Sequence, residues 1–130
     1  MDTRFLLLII LPVSLIFLWQ WRTLQKARHS EGQIVPDTSA IDGDIKTTCR
    51  VYYFHAAHCG PCRVITPWVD SFREEHPNLI KVDIVEHLEL AQNFAIAATP
   101  SFIAIANGII SEVKLGAVKE KWLLSRLTGC

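Results

Sequence analysis

Apolar residues fall along this chain in two patterns. Residues 5–19, FLLLIILPVSLIFLW, form one unbroken run without a charge, interrupted only by Pro12 and Ser14. Beyond residue 37 the apolar positions come in short blocks with strand or helix periods. Residues 50–55 are β-branched and aromatic and read as a strand; Val64, Ile65, Trp68, Val69 and Phe72 then recur at helical spacing over 60–75, up to His76-Pro77-Asn78. Residues 79–85 make a second, interior strand, and 87–95 a helix with Leu88, Leu90, Ala91 and Phe94 on its buried side. Pro100 leads into a strand at 101–106, Asn107-Gly108 turns the chain, and 109–115 returns antiparallel. A closing amphipathic helix over 117–127 turns Val118, Trp122, Leu123 and Leu127 inward. Residues 38–48 suit only a short, poor helix, since Gly43 and the Asp and Thr residues weaken it. The order βαβ-α-ββα predicts an α/β fold, a mixed central sheet flanked by helices.

The first run needs its own account. With Gln20 and Trp21 it reaches 17 residues, the short end of a bilayer-spanning helix, and Trp19 and Trp21 stand where indoles favour the headgroup layer. A cleaved signal peptide needs small residues at a processing site, and Gln25-Lys26-Ala27 is a poor one. A core helix is not needed by the elements downstream. The expectation is an uncleaved transmembrane helix: residues 1–21 as membrane anchor with the span at 5–21, residues 22–37 as linker, and residues 38–130 as the domain. Pro12 kinks such a helix without excluding insertion. Arg22, Lys26 and Arg28 follow the span and only Arg4 precedes it, which by positive-inside counting places the domain in the cytoplasm.

Charge and length bound the rest. Thirteen basic and thirteen acidic residues in 130 give no general electrostatic reason to expect nucleic acid as a partner. One small domain without internal repeats fits this length.

Cys59-Gly60-Pro61-Cys62 stands where the first strand hands over to a helix. There the unpaired N–H groups of the helix start face the Cys59 sulfur and favour its thiolate, the form that attacks disulfides. Cys62, one turn in and less exposed, is placed to resolve a mixed disulfide. Cys59 and Cys62 are thus the candidate catalytic pair of a thiol–disulfide exchange site. Half of a zinc site is the competing reading, but no second CxxC or His pair stands at finger spacing, so no metal and no cofactor are expected.

The surrounding motifs resemble the thioredoxin family. They are the run Phe54–Arg63 (FHAAHCGPCR), Pro67 inside the following helix, Thr99-Pro100, Asn107-Gly108 and Leu115-Gly116-Ala117, in order over residues 33–128. The resemblance implies a thioredoxin-like fold and a Cys59–Cys62 redox-active disulfide. It implies a cis bond before Pro100, with Gly60, Pro61, Thr99 and Pro100 contacting an extended polypeptide substrate. It further implies protein substrates bearing cysteines or disulfides, and a thiol protein as electron donor. Gly60-Pro61 is the dipeptide of reducing members, so the expected activity is that of a protein disulfide reductase or isomerase. A client-binding module with little turnover is the alternative.

Three positions depart from the family pattern. His58 replaces a tryptophan, and in its protonated form would stabilise the Cys59 thiolate; a solvated surface histidine is the plain alternative. Tyr53 stands where the family buries an aspartate that helps deprotonate the second cysteine, and a phenol is a poor base near neutrality. Lys81 matches the family's buried lysine and is a second candidate for tuning the site, or else pairs with Asp83 or reaches solvent. His55 replaces another tryptophan and reads as a packing or surface residue. Cys49 and Cys130 are left over: a disulfide between them, a free buried Cys49 and an intermolecular Cys130 are all open. Two spare cysteines sit more easily in an oxidising compartment. Anchored bacterial members commonly face the periplasm, so the resemblance points to a single-pass protein of the bacterial inner membrane with a periplasmic domain, against the charge count.

Overall fold

Four consecutive buried residues, Val51 to Phe54, make β1 (Cys49–His55) the strand around which the rest is organised. Successive side chains on a strand point to opposite faces. Val51 and Tyr53 therefore pack with Val69, Phe102 and Leu123, while Tyr52 and Phe54 pack with Val82, Phe94 and Ile103. A strand covered on both faces requires just such an unbroken apolar run. The computed structural model describes residues 2–43 and 47–130.

β1 lies inside a four-stranded sheet of order β2-β1-β3-β4. β2 (Leu79–Asp83) runs parallel to it, β3 (Ser101–Ala106) antiparallel, and β4 (Ile109–Leu115) antiparallel to β3. On the Tyr53 face lie α3 (Gly60–Glu75), the crossover from β1 to β2, and α5 (Glu120–Thr128). The Tyr52 face is covered by α4 (Leu88–Asn93) and the four-residue α2 (Ser39–Asp42). The mixed sheet flanked by helices that the periodicity predicts is the fold that forms. Asn107 and Gly108 both take positive φ, 52° and 76°, the left-handed pair that fits a two-residue hairpin to strand twist.

Several boundaries differ from the sequence expectation. β2 stops at Asp83 rather than running to residue 85, because the Asp83 carboxylate accepts the Val85 N–H at 2.8 Å and bends the chain away, leaving Val85 exposed. Leu88, expected inside, opens α4 on the solvent side; in a six-residue helix only Leu90, Ala91 and Phe94 reach the sheet. α5 begins at Glu120, and Val118 packs from the extended lead-in instead. Of the short helix expected over 38–48, Ser39–Asp42 forms, and residues 44–46 lie outside the described residues.

α1 (Thr3–Arg28) carries the helix well past the end of the apolar run at residue 21, and Thr3–Gln25 is long and apolar enough to cross a membrane. The stretch 22–37, expected as a linker, is therefore helical to residue 28. Its second part is docked on β4. The Gly32 N–H donates to the Ile110 carbonyl at 2.7 Å, the Ile110 N–H to Gln33 at 2.9 Å, and the Val35 N–H to Gly108 at 3.1 Å. Ser30 is buried, its hydroxyl donating to the Phe94 carbonyl.

Candidate redox site

β1 delivers the chain to the site through Ala56, Ala57 and His58, and Cys59 caps α3 with extended φ/ψ of −90° and 111°. In that conformation its sulfur points back over the helix start and accepts the Cys62 N–H at 3.2 Å. The helix end thus holds the sulfur with one of its own orphan donors, the arrangement that favours a thiolate there. Cys59 and Cys62 are joined as a disulfide with Cα atoms 5.2 Å apart. Access divides the two residues sharply: Cys62 is 1% exposed, Cys59 half-buried. Only Cys59 is open to an incoming sulfur. Gly60 and Pro61 are exposed beside it, and a Cβ built on Gly60 would meet nothing within 4 Å.

The sheet register brings Thr99 and Pro100 to the same pole. Ser101 pairs with Phe54 on one side and Leu115 on the other, so the residues just before it lie where β1 leaves for Cys59. The Thr99–Pro100 bond is cis; Pro100 is buried and its carbonyl accepts the Gly116 N–H at 2.8 Å, while Thr99 is half-buried.

Behind Cys62, the side chains of α3 at four-residue spacing face the sheet. The Thr66 hydroxyl bonds the Tyr53 phenol at 2.9 Å, and Asp70 receives Lys81 Nζ at 3.1 and 3.2 Å. Lys81 therefore pairs across to the helix, neither with its strand neighbour Asp83 nor free in solvent, because β2 turns it towards α3. Burial pushes the Tyr53 phenol above its ordinary range, with Thr66 pulling the other way. His55 stacks on Tyr53 with ring centroids 5.5 Å apart. Burial, then the Lys81 charge, holds the His55 imidazole below its usual value, against Asp83, Asp70 and Glu86. His58 is exposed. Thr66 and Asp70 escaped the sequence reading, although the spacing 62-66-70 marks one helix face.

Cys49 and Cys130 form a second disulfide at the far end of β1, with Cα atoms 5.6 Å apart. Asn78 Nδ2 reinforces the junction, donating to the carbonyls of Cys49 and Leu127 at 2.9 Å each. Among the described residues no group of three or more His, Cys, Asp or Glu side chains is placed to hold a metal ion.

The thioredoxin family profile matches residues 38–128. A TPR repeat-containing thioredoxin of Oryza sativa is 37% identical over 96 residues, 72% of this chain and 30% of that protein. Thioredoxin H1 of Arabidopsis thaliana is 33% identical over 100 residues, 75% of this chain and 74% of its own length. The chain spans between 30% and 62% of the length of the first curated relatives it matches. Among solved structures, reduced thioredoxin pre-protein of Schistosoma mansoni superposes with a TM-score of 0.57 at 32% identity, over 64% of this chain and 82% of that one. A mutant thioredoxin from Halobacterium salinarum gives 0.59 at 24% identity, over 72% and 84%, a likeness of fold. With the profile covering most of its length, the chain belongs to the thioredoxin family.

Proposed function

We propose that this chain is a membrane-tethered protein disulfide reductase or isomerase that works through Cys59 and Cys62. The observation that carries the reading is the asymmetry of the pair: a half-open Cys59 whose sulfur takes a helix N–H, and a buried Cys62. In the dithiol state the Cys59 thiolate attacks a substrate disulfide, one substrate sulfur leaves as thiolate, and a mixed disulfide forms. Cys62, having lost its proton, attacks the Cys59 sulfur; the second substrate thiolate leaves and Cys59–Cys62 closes. Two electrons pass to the substrate, and a thiol protein returns them. Gly60, Pro61, Thr99 and Pro100 form the substrate-facing rim, with His58 and Lys81 as tuning groups. The purified protein should catalyse dithiothreitol-driven insulin reduction, and Cys59→Ser should abolish it; equal activity in the variant removes the mechanism.

The tether is the span within residues 5–21, with 38–130 as the redox domain and its site outside the cytoplasm in a bacterial inner membrane. Support comes from the exposed apolar α1 and from the pairing of Cys49 with Cys130, which suits an oxidising compartment. Alkaline phosphatase fused after Cys130 should be active on intact cells; an inactive fusion places the site in the cytoplasm.

Tyr53 favours a second reading, a client-binding module with little turnover, because a buried phenol is no proton acceptor near neutrality. Cys62→Ser should accumulate mixed disulfides in the enzyme. A binder recovers the same clients with both cysteines replaced.

A further inference from the structure

Closing the Cys59–Cys62 bond requires Cys62 to lose a proton, and Cys62 is 1% exposed. A group that takes this proton must lie on the sheet face that α3 covers, level with the first turn of the helix. Tyr53 is on that face but is a poor acceptor, its phenol held above its ordinary range and bonded to Thr66. Asp70 is two turns beyond Cys62, about 12 Å along the helix, and already holds Lys81 Nζ. His58 is exposed on the chain just ahead of Cys59.

His55 is left, and the register puts it at the right height. β1 runs towards the redox end of the sheet, and α3, which crosses over to the parallel β2, runs back from it. Tyr53 and Thr66 meet between the two elements. Two residues on from Tyr53, β1 has risen about 6.6 Å to His55; four residues back from Thr66, α3 has risen about 6 Å to Cys62. The two steps match, so His55 and Cys62 face one gap between strand and helix. The stacking of His55 on Tyr53, with ring centroids 5.5 Å apart, fixes the imidazole on that side. A phenol spans the gap to a hydroxyl. The shorter imidazole leaves space for one bridging water, within the reach of general-base transfer.

The charges around His55 suit a group that is neutral before the step and cationic after it. Burial first, then Lys81, hold the ring below its usual value, so it is unprotonated at neutral pH. Asp83 on β2, Asp70 on α3 and Glu86 in the turn beyond β2 act the other way and favour the imidazolium once it forms.

We propose that His55 is the proton acceptor of the resolving step, in place of the acid whose position Tyr53 occupies. This rests on the Cys59–Cys62 redox reading above. With the mixed disulfide formed at Cys59, the His55 imidazole takes the Cys62 proton. The Cys62 thiolate attacks the Cys59 sulfur; the Cys59–Cys62 bond forms and the bond to the substrate breaks. The substrate sulfur leaves as thiolate with the electron pair, and the imidazolium, half-buried, returns its proton to that thiolate or to solvent.

The resolving step can be followed by itself. The reduced full chain in detergent is loaded at Cys59 with one equivalent of Ellman's reagent at about pH 4, where Cys62 stays a thiol. It is then jumped to higher pH, and release of the second coloured thiolate reports the attack by Cys62. In the parent, the release rate should rise with a midpoint below about pH 6.5. At pH 7, His55→Gln and His55→Phe should both be at least about ten-fold slower. Their midpoint should move up towards the thiol range of about 8.5. His55→Phe keeps a ring on Tyr53, so its loss separates proton transfer from packing. Loading of Cys59 in a Cys62→Ser background should be unchanged by either substitution. Parental release in either variant, or equal slowing of loading and release, overturns the assignment. A parent that never releases the second thiolate strikes the Cys59–Cys62 reading itself, and the assignment falls with it.

Discussion

The phenol of Tyr53 is hydrogen-bonded at 2.9 Å to the hydroxyl of Thr66, one helical turn beyond Cys62. Where the family pattern has an ionisable acid behind the second cysteine, this chain has a neutral pair that bonds strand to helix. Its role is cohesion rather than proton transfer.

Tyr53→Phe should therefore leave the insulin-reduction rate unchanged over about pH 6 to 9, at a stability cost of about 1 kcal/mol for one buried hydrogen bond. A rate loss in that window would show that the phenol takes part in the resolving step. The alkaline side follows from the sign of the shift. A phenol pushed up on folding keeps its proton where the unfolded chain loses it, so stability is full below about pH 10 and declines above it. Burial raises both Tyr52 and Tyr53, and each Tyr→Phe variant should flatten that decline in urea titrations.

His55 acts at the acid end. Its folded value lies below the unfolded value of 6.5, so the unfolded chain takes up the proton first as pH falls. Its contribution is whole above about pH 6.5 and is lost below it. His55→Gln should show a shallower fall in urea midpoint between about pH 6.5 and 5 than the parent, and identical slopes would refute the assignment.

The second disulfide is structural on this geometry. Cys49 and Cys130 are separated by 81 residues, for which chain-entropy loss corresponds to about 4.5 kcal/mol. Cys49→Ser should lower stability by up to about that amount, while native protein below its unfolding midpoint still reduces insulin. An inactive but folded variant would tie this bond to turnover.

A buried polar cluster closes the start of β1. Asp42, its side chain 3% exposed, accepts Arg50 at 2.8 Å, the Thr38 hydroxyl at 2.6 Å and the Tyr52 phenol. Asp42→Ala strands a largely buried guanidinium, and should cost about 3 kcal/mol or more in urea unfolding with the catalytic rate unaltered.

Local chemistry made most of this architecture legible. The run at 50–55, the helical spacing of Val64 to Phe72 and the Asn107-Gly108 turn each encode their element within a few residues, and Cys59 at a strand–helix junction announces its own sulfur chemistry. What escaped is non-local. Residues 22–37 carry no period that reveals β4 as their partner, since Gly32, Gln33 and Val35 reach it through backbone bonds indifferent to side-chain pattern. Lys81 finds Asp70 rather than Asp83 because a strand neighbour two positions on shares its face but α3 stands above it. The Cys49–Cys130 pairing depends on α5 ending beside the start of β1, a fact of packing rather than of spacing.

The docked segment also decides what a soluble fragment would do. β4 is the last strand on its side of the sheet, and residues 32–35 take up the Ile110 peptide groups and the Gly108 carbonyl that would otherwise face water. An uncovered, partly apolar strand edge is a template for another chain. A fragment begun at residue 38, where the family profile starts, would bare that edge beside Ile109 and should self-associate through strand pairing. One begun at residue 29 carries its own cap and should stay monomeric on a sizing column.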